Sequence, residues 1–365
     1  MSEQSRIVEL ASIISKNTAM VAKYLECHGI LSPSFNKNYV EPKDLPTEIM
    51  AAKQAIVEAT EELSVLALGP TAFLTATNTT ILPALHFIYR HDIATKFHID
   101  EETNFAGLAH KIAMDVSDTE RILRMAMTQR IFSELRPGVV AHTALSRAIA
   151  TTPLLSSYLG LLTEEIWLSS SRVVDATAKW PGSNEPDETR YNLASGITDA
   201  YFEGLKKDPL RSRRFDEVMK YTHNGGAFER AGLVKYYDWQ SISDGTVVEL
   251  GGSQGTMCFD LARNFSNMKC ISQDLPAVVE ATSVPEDLQG RVQLMPHDFF
   301  TEQPIKNADA YLFRWIFHDW SDKYSIQILR NLIPALKDGA RILIGELCLP
   351  ELGKATSTVV ERRMR

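Results

Sequence analysis

The sequence has few cysteines and no long hydrophobic run. Its 365 residues include four cysteines, and none stands in the CxxC pattern that indicates a zinc or redox site. The most hydrophobic stretch, residues 63–89, is interrupted by glycine and proline, and no run reaches the roughly 18 apolar residues that a membrane helix needs. Residues 1–16 lack the uninterrupted apolar segment of a signal peptide. These absences predict a cytoplasmic protein with reduced thiols and no membrane partner.

The sequence also has no excess of positive charge. It contains 38 Lys and Arg against 46 Asp and Glu, which gives a formal net charge of −8. Because DNA affinity depends largely on a basic surface, we expect no nucleic-acid partner. There is no HxH or HExxH motif and no carboxylate cluster with metal-ligand spacing, so we predict no metal site.

Helical patterns dominate the N-terminal part of the chain. Apolar residues at three- and four-residue spacing predict helices over residues 5–30, 48–68 and 71–89. These helices carry more apolar side chains than their own segment would bury. Burial against a second copy of the chain is the favoured explanation, and packing against the chain's own second domain is the alternative. We therefore predict a helical dimerisation domain over residues 1–150.

Residues 95–150 form a distinct block within that domain. The pattern predicts two helices, the second capped by Ser117 with Glu120 in a capping box, and then a hairpin over residues 131–142. This order is typical of a winged helix. The block has seven Lys or Arg and seven Asp or Glu, so it has no net charge. A structural role is therefore favoured over DNA binding.

The hydrophobic period changes after residue 239. Short apolar segments now alternate with helical patterns, which predicts a doubly wound α/β domain with a parallel sheet, similar to a Rossmann fold. This domain is expected to span residues 151–365 and to begin with a helical lead-in. Its strands are predicted at residues 246–250, 269–272, 292–294, 310–313 and 341–347.

The strongest local motif is the run ELGGSQG at 249–255, which follows the first of these strands and opens a helix. Gly251, Gly252 and Gly255 would let the backbone approach a ligand closely. A dinucleotide turn requires GxGxxG, whereas Gly251 and Gly255 are four residues apart, and this favours S-adenosylmethionine (SAM). Glu249 could hold the cationic groups of SAM directly or through water.

Acidic residues also follow the second and third strands. Asp274 could accept hydrogen bonds from both ribose hydroxyls of either cofactor class. Asp298 could accept the adenine amino group, with Phe299 against the ring; a helix-capping or turn role is the alternative. Because the acidic groups fall at strand ends on one edge of one sheet, we favour the ligand-binding interpretation.

The run RWIFHDWSD at 314–322 follows the fourth strand and carries His318. Neutral imidazole is a good base near pH 7, and methylation of a hydroxyl requires the loss of its proton. We interpret His318 as the general base and Glu346, at the end of the fifth strand, as the residue that orients it. A buried core histidine is the alternative. Further candidates for substrate contact are His142, His297 and Trp315.

These motifs resemble those of SAM-dependent O-methyltransferases, and the likeness is greatest to the caffeic-acid-type family in its fungal secondary-metabolism branch. It rests on VVELGGSQG, QDLP, HDFF, FRWIFHDWSD and LPALKDGARILIGELCLPE, extends upstream through ERILRMAMTQRIFSELRPGVVAHTALS, and covers most of the chain. The resemblance implies a homodimer in which the N-terminal helices close part of the partner's active site. It also implies a base at His318 flanked by Glu346, and SAM contacts from Gly251, Asp274, Asp298, Phe299 and Arg314.

The family pattern continues beyond the point where this sequence stops. The resemblance implies that a long helix, a final β-hairpin and a second acidic residue beside the base would follow Arg365. We therefore expect a truncated or shortened chain with an unpaired sheet edge, which is an aggregation liability.

The predicted function is methylation of a hydroxyl on a small aromatic or polyketide-derived secondary metabolite. One alternative is a SAM-dependent cyclase, pericyclase or dehydratase that binds SAM without consuming it, as some fungal relatives do. Another is a non-catalytic winged-helix regulator or degenerate dimer partner. Only the first interpretation predicts S-adenosylhomocysteine production that is lost in His318→Ala.

Overall fold

Helices form most of the first part of the chain. The computed structural model describes residues 5–75, 80–223, 230–351, 354 and 360. The chain divides after Trp167 and after Leu347 into two compact units. The helices that precede Trp167 are α1 (Arg6–Cys27), α2 (Thr47–Leu68), α3 (Pro70–Thr75), α4 (Ile81–Arg90), α5 (Phe105–Ile112), α6 (Val116–Thr128), α7 (Ala144–Thr151) and α8 (Leu155–Leu161), with a 3-10 turn at Ile93–Thr95 and a π turn at Leu162–Ile166.

The first two helices pack against each other through a small apolar cluster, to which Val21 and Leu25 contribute from α1 and Ile49 from α2. Helix α1 ends earlier than its pattern predicts, because Gly29 has a left-handed φ of +63° and the chain turns away there. The helix predicted over residues 71–89 corresponds to α3 and α4. Residues 76–79 of that prediction lie outside the described residues.

A small antiparallel sheet accompanies α5 and α6. Its strands are β1 (Glu102–Asn104), β2 (Ser133–Arg136) and β3 (Val139–Ala141), in the order β1-β3-β2. The two helices and the hairpin predicted for this block are therefore present. The first strand was not predicted, because three polar residues show no alternation of hydrophobicity.

The capping box predicted for α6 is wrong. Asp115 is the N-cap, and its carboxylate accepts a hydrogen bond from the Asp118 backbone N–H at 3.0 Å. This places Ser117 inside the first helical turn. A carboxylate at the N-cap satisfies the same unpaired donors as a serine hydroxyl would, and its charge also favours the helix N-terminus.

The second unit contains a five-stranded sheet. Its strands are β4 (Thr246–Leu250), β5 (Lys269–Asp274), β6 (Val292–Pro296), β7 (Ala310–Arg314) and β8 (Arg341–Gly345), in the order β6-β5-β4-β7-β8, and every pair is parallel. The prediction of a parallel α/β sheet is confirmed. The remaining helices are α9 (Trp167–Ser170), α10 (Val173–Lys179), α11 (Arg190–Ser195), α12 (Tyr201–Lys206), α13 (Pro209–His223), α14 (Arg230–Tyr236), α15 (Thr256–Asn264), α16 (Pro276–Glu280) and α17 (Asp322–Leu332), with 3-10 turns at Trp239–Ile242, Glu286–Leu288, Phe317–Asp319 and Ile333–Ala335.

Helices cover both faces of this sheet. Alternate side chains of a strand point to opposite faces, and the two central strands are apolar at successive positions. Val247 and Leu312 belong to a core with residues of α15, whereas Val248 and Tyr311 belong to a second core with residues of α17. Within the part of the chain that the structure describes, no helix is long and apolar enough to cross a membrane.

The parallel register places the ends of neighbouring strands side by side. Leu250, at the end of β4, is paired with Gln273 of β5 and with Phe313 of β7, and Arg314 is paired with Gly345 of β8. The residues that follow these strands therefore leave the sheet at one edge, on both sides of the point where strand order reverses. Ligands of open α/β sheets bind at such an edge.

The Tyr311 hydroxyl connects strand β7 to the backbone of neighbouring segments, and its contribution to stability can be measured. It is fully buried, 2.8 Å from Ile305 O and 3.0 Å from Ala335 O, and it accepts the Ala308 N–H at 3.3 Å. Tyr311→Phe leaves these backbone groups without their partner, which should cost about 1–3 kcal/mol of unfolding free energy. Urea unfolding measures this loss. Tyr236→Phe, at a residue that is 79% exposed, is the control; an equal and negligible loss in both variants would contradict this role.

Candidate functional site

A glycine-rich turn joins β4 to α15. Gly251 and Gly255 have left-handed φ angles of +70° and +69°, which glycine adopts without penalty. A Cβ on Gly251 would lie 2.3 Å from Ile316 Cδ1, and a Cβ on Gly252 would lie 2.1 Å from Ser272 Oγ. All three glycines predicted for the cofactor site are therefore required by conformation or by space.

Glu249 is buried at the end of β4, directly beneath this turn. Its carboxylate accepts a hydrogen bond from the Ser272 hydroxyl at 3.1 Å, from the strand position paired with it in register. Burial raises the pKa of Glu249 to about 7, although hydrogen bonds from Cys258 and Ser272 and the charge of Arg314 favour the ionised form. A bound cation would favour the charged form further.

Asp274 ends β5 beside the turn. Its Oδ2 accepts the Ser253 N–H at 2.7 Å and its Oδ1 accepts the Leu275 N–H at 2.7 Å. Burial raises the pKa of this carboxyl group, and the two backbone hydrogen bonds act in the opposite direction. Each carboxylate oxygen can accept a second hydrogen bond, so Asp274 is held in place and can still receive ribose hydroxyls.

Asp298 and Phe299 follow β6 at the same edge. Asp298 is exposed, and its Oδ1 accepts the Phe300 N–H at 2.9 Å, so it also stabilises the local turn. The Phe299 ring lies 5.1 Å from the Phe300 ring and 6.1 Å from the Trp320 ring. A Cβ on Gly251 would lie 3.5 Å from Phe299 Cε1, so this ring is close to the glycine turn.

His318 lies in a 3-10 turn after β7 and is held by Glu346, which follows β8. His318 Nδ1 is 2.9 Å from Glu346 Oε2, and Glu346 Oε1 accepts the backbone N–H groups of Ile316 and Phe317, each at 2.8 Å. One carboxylate therefore fixes both the turn and the imidazole ring. Because Nδ1 donates to Glu346 in the neutral ring, Nε2 is the nitrogen that can accept a proton.

Arg314 and Trp315 precede the turn that carries His318. Arg314 ends β7, and its guanidinium carbon lies 6.0 Å from the centre of the Trp315 ring. Trp315 has a left-handed φ of +60°, which is rare for an aromatic residue and indicates strain that its surroundings hold in place. The Trp315 ring is 5.4 Å from the imidazole of His318 and perpendicular to it.

The two other predicted substrate residues, His142 and His297, have different surroundings. His142 belongs to the first unit, where it is buried with Nδ1 3.0 Å from the Ser146 hydroxyl and its ring 4.2 Å from Phe97. His297 follows β6, and its buried Nε2 has no hydrogen-bond partner among the described residues. Burial lowers the pKa of both histidines.

Some site residues were not identified from the sequence. Ser272 supports Glu249, and Ser253 and Leu275 position Asp274 through their backbone N–H groups. Ser272 had a detectable signal, since it is a polar residue inside an apolar strand at the register of Glu249. The backbone donors had none, because every residue type except proline carries an N–H.

The second unit therefore brings the predicted cofactor residues to one edge of the sheet. Three features fit a cationic nucleoside such as SAM. Glu249 is a buried carboxylate whose ionised form a cation would stabilise, and Asp274 is a second carboxylate that can accept further hydrogen bonds. The third feature is the aromatic ring of Phe299 beside the glycine turn. The turn lacks the GxGxxG spacing of the dinucleotide motif, since Gly251 and Gly255 are four residues apart.

Comparisons with known proteins identify the family. A family profile described as an O-methyltransferase domain matches residues 178–364. The chain is 38% identical to O-methyltransferase kk1A of Curvularia clavata, over 95% of this chain and 83% of that protein. It is 35% identical to the grayanic acid biosynthesis cluster O-methyltransferase of Cladonia grayi, over 99% of this chain and 77% of that protein.

Solved structures share the fold. The crystal structure of OxaC in complex with S-adenosylhomocysteine and oxaline aligns with a TM-score of 0.75 at 19% identity, over 98% of this chain and 88% of that one. The profile match and the extent of identity to the curated relatives decide the family. This chain belongs to the SAM-dependent O-methyltransferases of fungal secondary metabolism, and SAM is its cofactor.

Proposed function

We propose that His318 is the general base of this O-methyltransferase and that its substrate is a hydroxyl group on a small aromatic or polyketide-derived metabolite. The observation that carries the proposal is the clamp formed by Glu346, which holds Nδ1 of the imidazole and two backbone N–H groups of its turn. A clamped base presents Nε2 in one orientation, as proton abstraction in a defined geometry requires.

SAM, when bound, supplies an electrophilic methyl group. We propose that Glu249 and Asp274 bind its charged and ribose portions and that Phe299 packs against its adenine, with Gly251, Gly252, Gly255, Asp298 and Arg314 completing the site. His318 Nε2 would take the proton of the substrate hydroxyl, which would leave its oxygen as the nucleophile that methyl transfer requires. Glu346 stabilises the imidazolium that results, because its carboxylate lies 2.9 Å from Nδ1. Trp315 and His297 are the proposed neighbours of the substrate.

The N-terminal helices are proposed to form a homodimer, with residues 1–150 as the dimerisation and winged-helix domain and His142 as a contact to substrate. Support comes from large apolar side chains exposed on α2 and α3, among them Leu66, Phe73 and Leu74. Such a surface is typical of a contact between protein chains. Sedimentation equilibrium should give twice the mass of one chain, and a monomer at all concentrations would contradict the proposal.

The base is tested by two substitutions. His318→Ala should lower the rate of methyl transfer about 100- to 10,000-fold, and Glu346→Gln about 10- to 100-fold, because one removes the proton acceptor and the other only its support. S-adenosylhomocysteine formation, measured by mass spectrometry at saturating SAM, gives the rates. SAM affinity, measured by calorimetry, should change little in either variant.

His98→Ala is the control, since this imidazole is 70% exposed in the first unit. It should retain wild-type activity. Activity of His318→Ala above half the wild-type value would show that the base lies elsewhere.

The affinity for SAM should depend on pH through Glu249. Because its pKa is raised to about 7, this carboxyl group stabilises the ligand-free fold at low pH, and the contribution is lost as the pH rises through about 7. A cationic ligand needs the ionised form, so the dissociation constant should be about tenfold higher at pH 6 than at pH 8.

Glu249→Gln should bind SAM more weakly and should lose this dependence, which separates it from titration of the ligand itself. Calorimetry at several pH values makes the comparison. The same pH dependence in wild type and Glu249→Gln would rule out this carboxylate as the partner of the cation.

A further inference from the structure

A cavity of about 530 Å³ lies in the second unit beside the segment that carries His318. Its walls come from α10, from the turn-rich residues 182–190 and from residues 319–324. Trp180, Trp320 and Tyr324 contribute aromatic surface to it. Its volume lies within the range of small-molecule sites, and aromatic walls are typical of them.

The cavity shares one wall residue, Asp319, with the surroundings of His318. Glu346 engages Nδ1, so Nε2 is the nitrogen left for a substrate hydroxyl. Nε2 lies 3.5 Å from Asp319 Oδ1, and Asp319 is part of the cavity wall. Asp319 therefore lies both beside Nε2 and in the cavity wall.

The walls carry a surplus of negative charge. Their charged groups are three carboxylates and one guanidinium: Glu185, Glu188, Asp319 and Arg190. Lys323 pairs with Glu185 at 2.5 Å, while the Glu188 carboxylate accepts the Ser183 hydroxyl. Even with Lys323 included, the carboxylates outnumber the cations. An anionic ligand would meet like charge and would also lose its hydration.

Direct hydrogen bonds join two parts of the cavity wall. Ser321 Oγ donates to Asn184 O at 2.9 Å, and the Tyr324 hydroxyl donates to Glu185 Oε2 at 2.7 Å. These bonds join the turn-rich segment to the residues that follow His318. The cavity is therefore largely formed before a ligand arrives, which lowers the entropic cost of binding.

We propose that this cavity receives the ring of the acceptor substrate and that it selects a neutral or cationic aromatic hydroxyl compound over an anionic one. The inference rests on the proposed function, because it takes His318 as the base. In this proposal Trp180 and Trp320 determine which ring fits the cavity, and Glu188 and Asp319 disfavour a ring that carries a negative charge.

Charge selection is tested with para-methylphenol and para-hydroxybenzoate, which differ in a carboxylate. The Michaelis constant for para-hydroxybenzoate should exceed that for para-methylphenol by about tenfold or more. Glu188→Gln should reduce this ratio by lowering the Michaelis constant for the anionic compound alone. Glu203→Gln, an exposed carboxylate of α12, is the control and should leave the ratio unchanged. A preference for para-hydroxybenzoate in the wild type would overturn the charge assignment.

Occupancy is tested by filling the cavity from α10. Thr177 lines it, whereas Ala178 is exposed on the same helix and does not. Thr177→Trp should weaken the binding of para-methylphenol to the S-adenosylhomocysteine complex by about tenfold or more, since the ring loses its apolar burial. Ala178→Trp should not. Calorimetry measures both affinities, and thermal melting checks that both variants fold equally.

The binding and turnover measurements separate this inference from the proposed function. Binding that Thr177→Trp abolishes, without methylation, would support the cavity and contradict the base assignment. Methylation and binding that Thr177→Trp leaves unchanged would overturn the cavity and leave the base assignment intact. Failure of para-methylphenol to bind the wild-type complex would also overturn the cavity.

Discussion

The common direction of the five strands is the constraint on which the site depends. In a parallel sheet every strand ends at the same edge, and the register between β4, β5, β7 and β8 places those ends next to one another. Residues far apart in the sequence, such as Glu249, Asp274 and Glu346, are thereby brought to one edge of the sheet. No single helix or loop could bring them together, because they are separated by more than 20 residues each.

Two carboxylates at this edge differ in their surroundings, and the difference suits two roles. Glu249 is buried beneath the glycine turn, and burial raises its pKa to about 7, so a cation changes its ionisation. Glu346 accepts two backbone N–H groups and faces an imidazole, so its position is fixed by directional bonds. The proposed mechanism assigns the first to the cofactor and the second to the base. The environment of each group, more than its residue type, supports this division.

The sequence predicted the sheet well because buried parallel strands are short apolar runs bounded by turns, and all five such runs are strands. It also predicted the contact between His318 and Glu346. It did not predict β1, whose three polar residues carry no pattern, or the Asp115 cap. The backbone donors to Asp274 and Glu346, and the cavity beside Asp319, could not be predicted, since they depend on packing between distant segments.

Methyl transfer from SAM to a hydroxyl is the chemistry that we propose for this edge of the sheet. Mass spectrometry of the purified chain, incubated with methyl-labelled SAM and a panel of phenolic and polyketide hydroxyl compounds, tests it most directly. We expect a product heavier by one labelled methyl group and an equal amount of S-adenosylhomocysteine. A substrate that is converted without gaining the label, while SAM stays bound and unconsumed, would contradict methyl transfer and favour the pericyclase alternative.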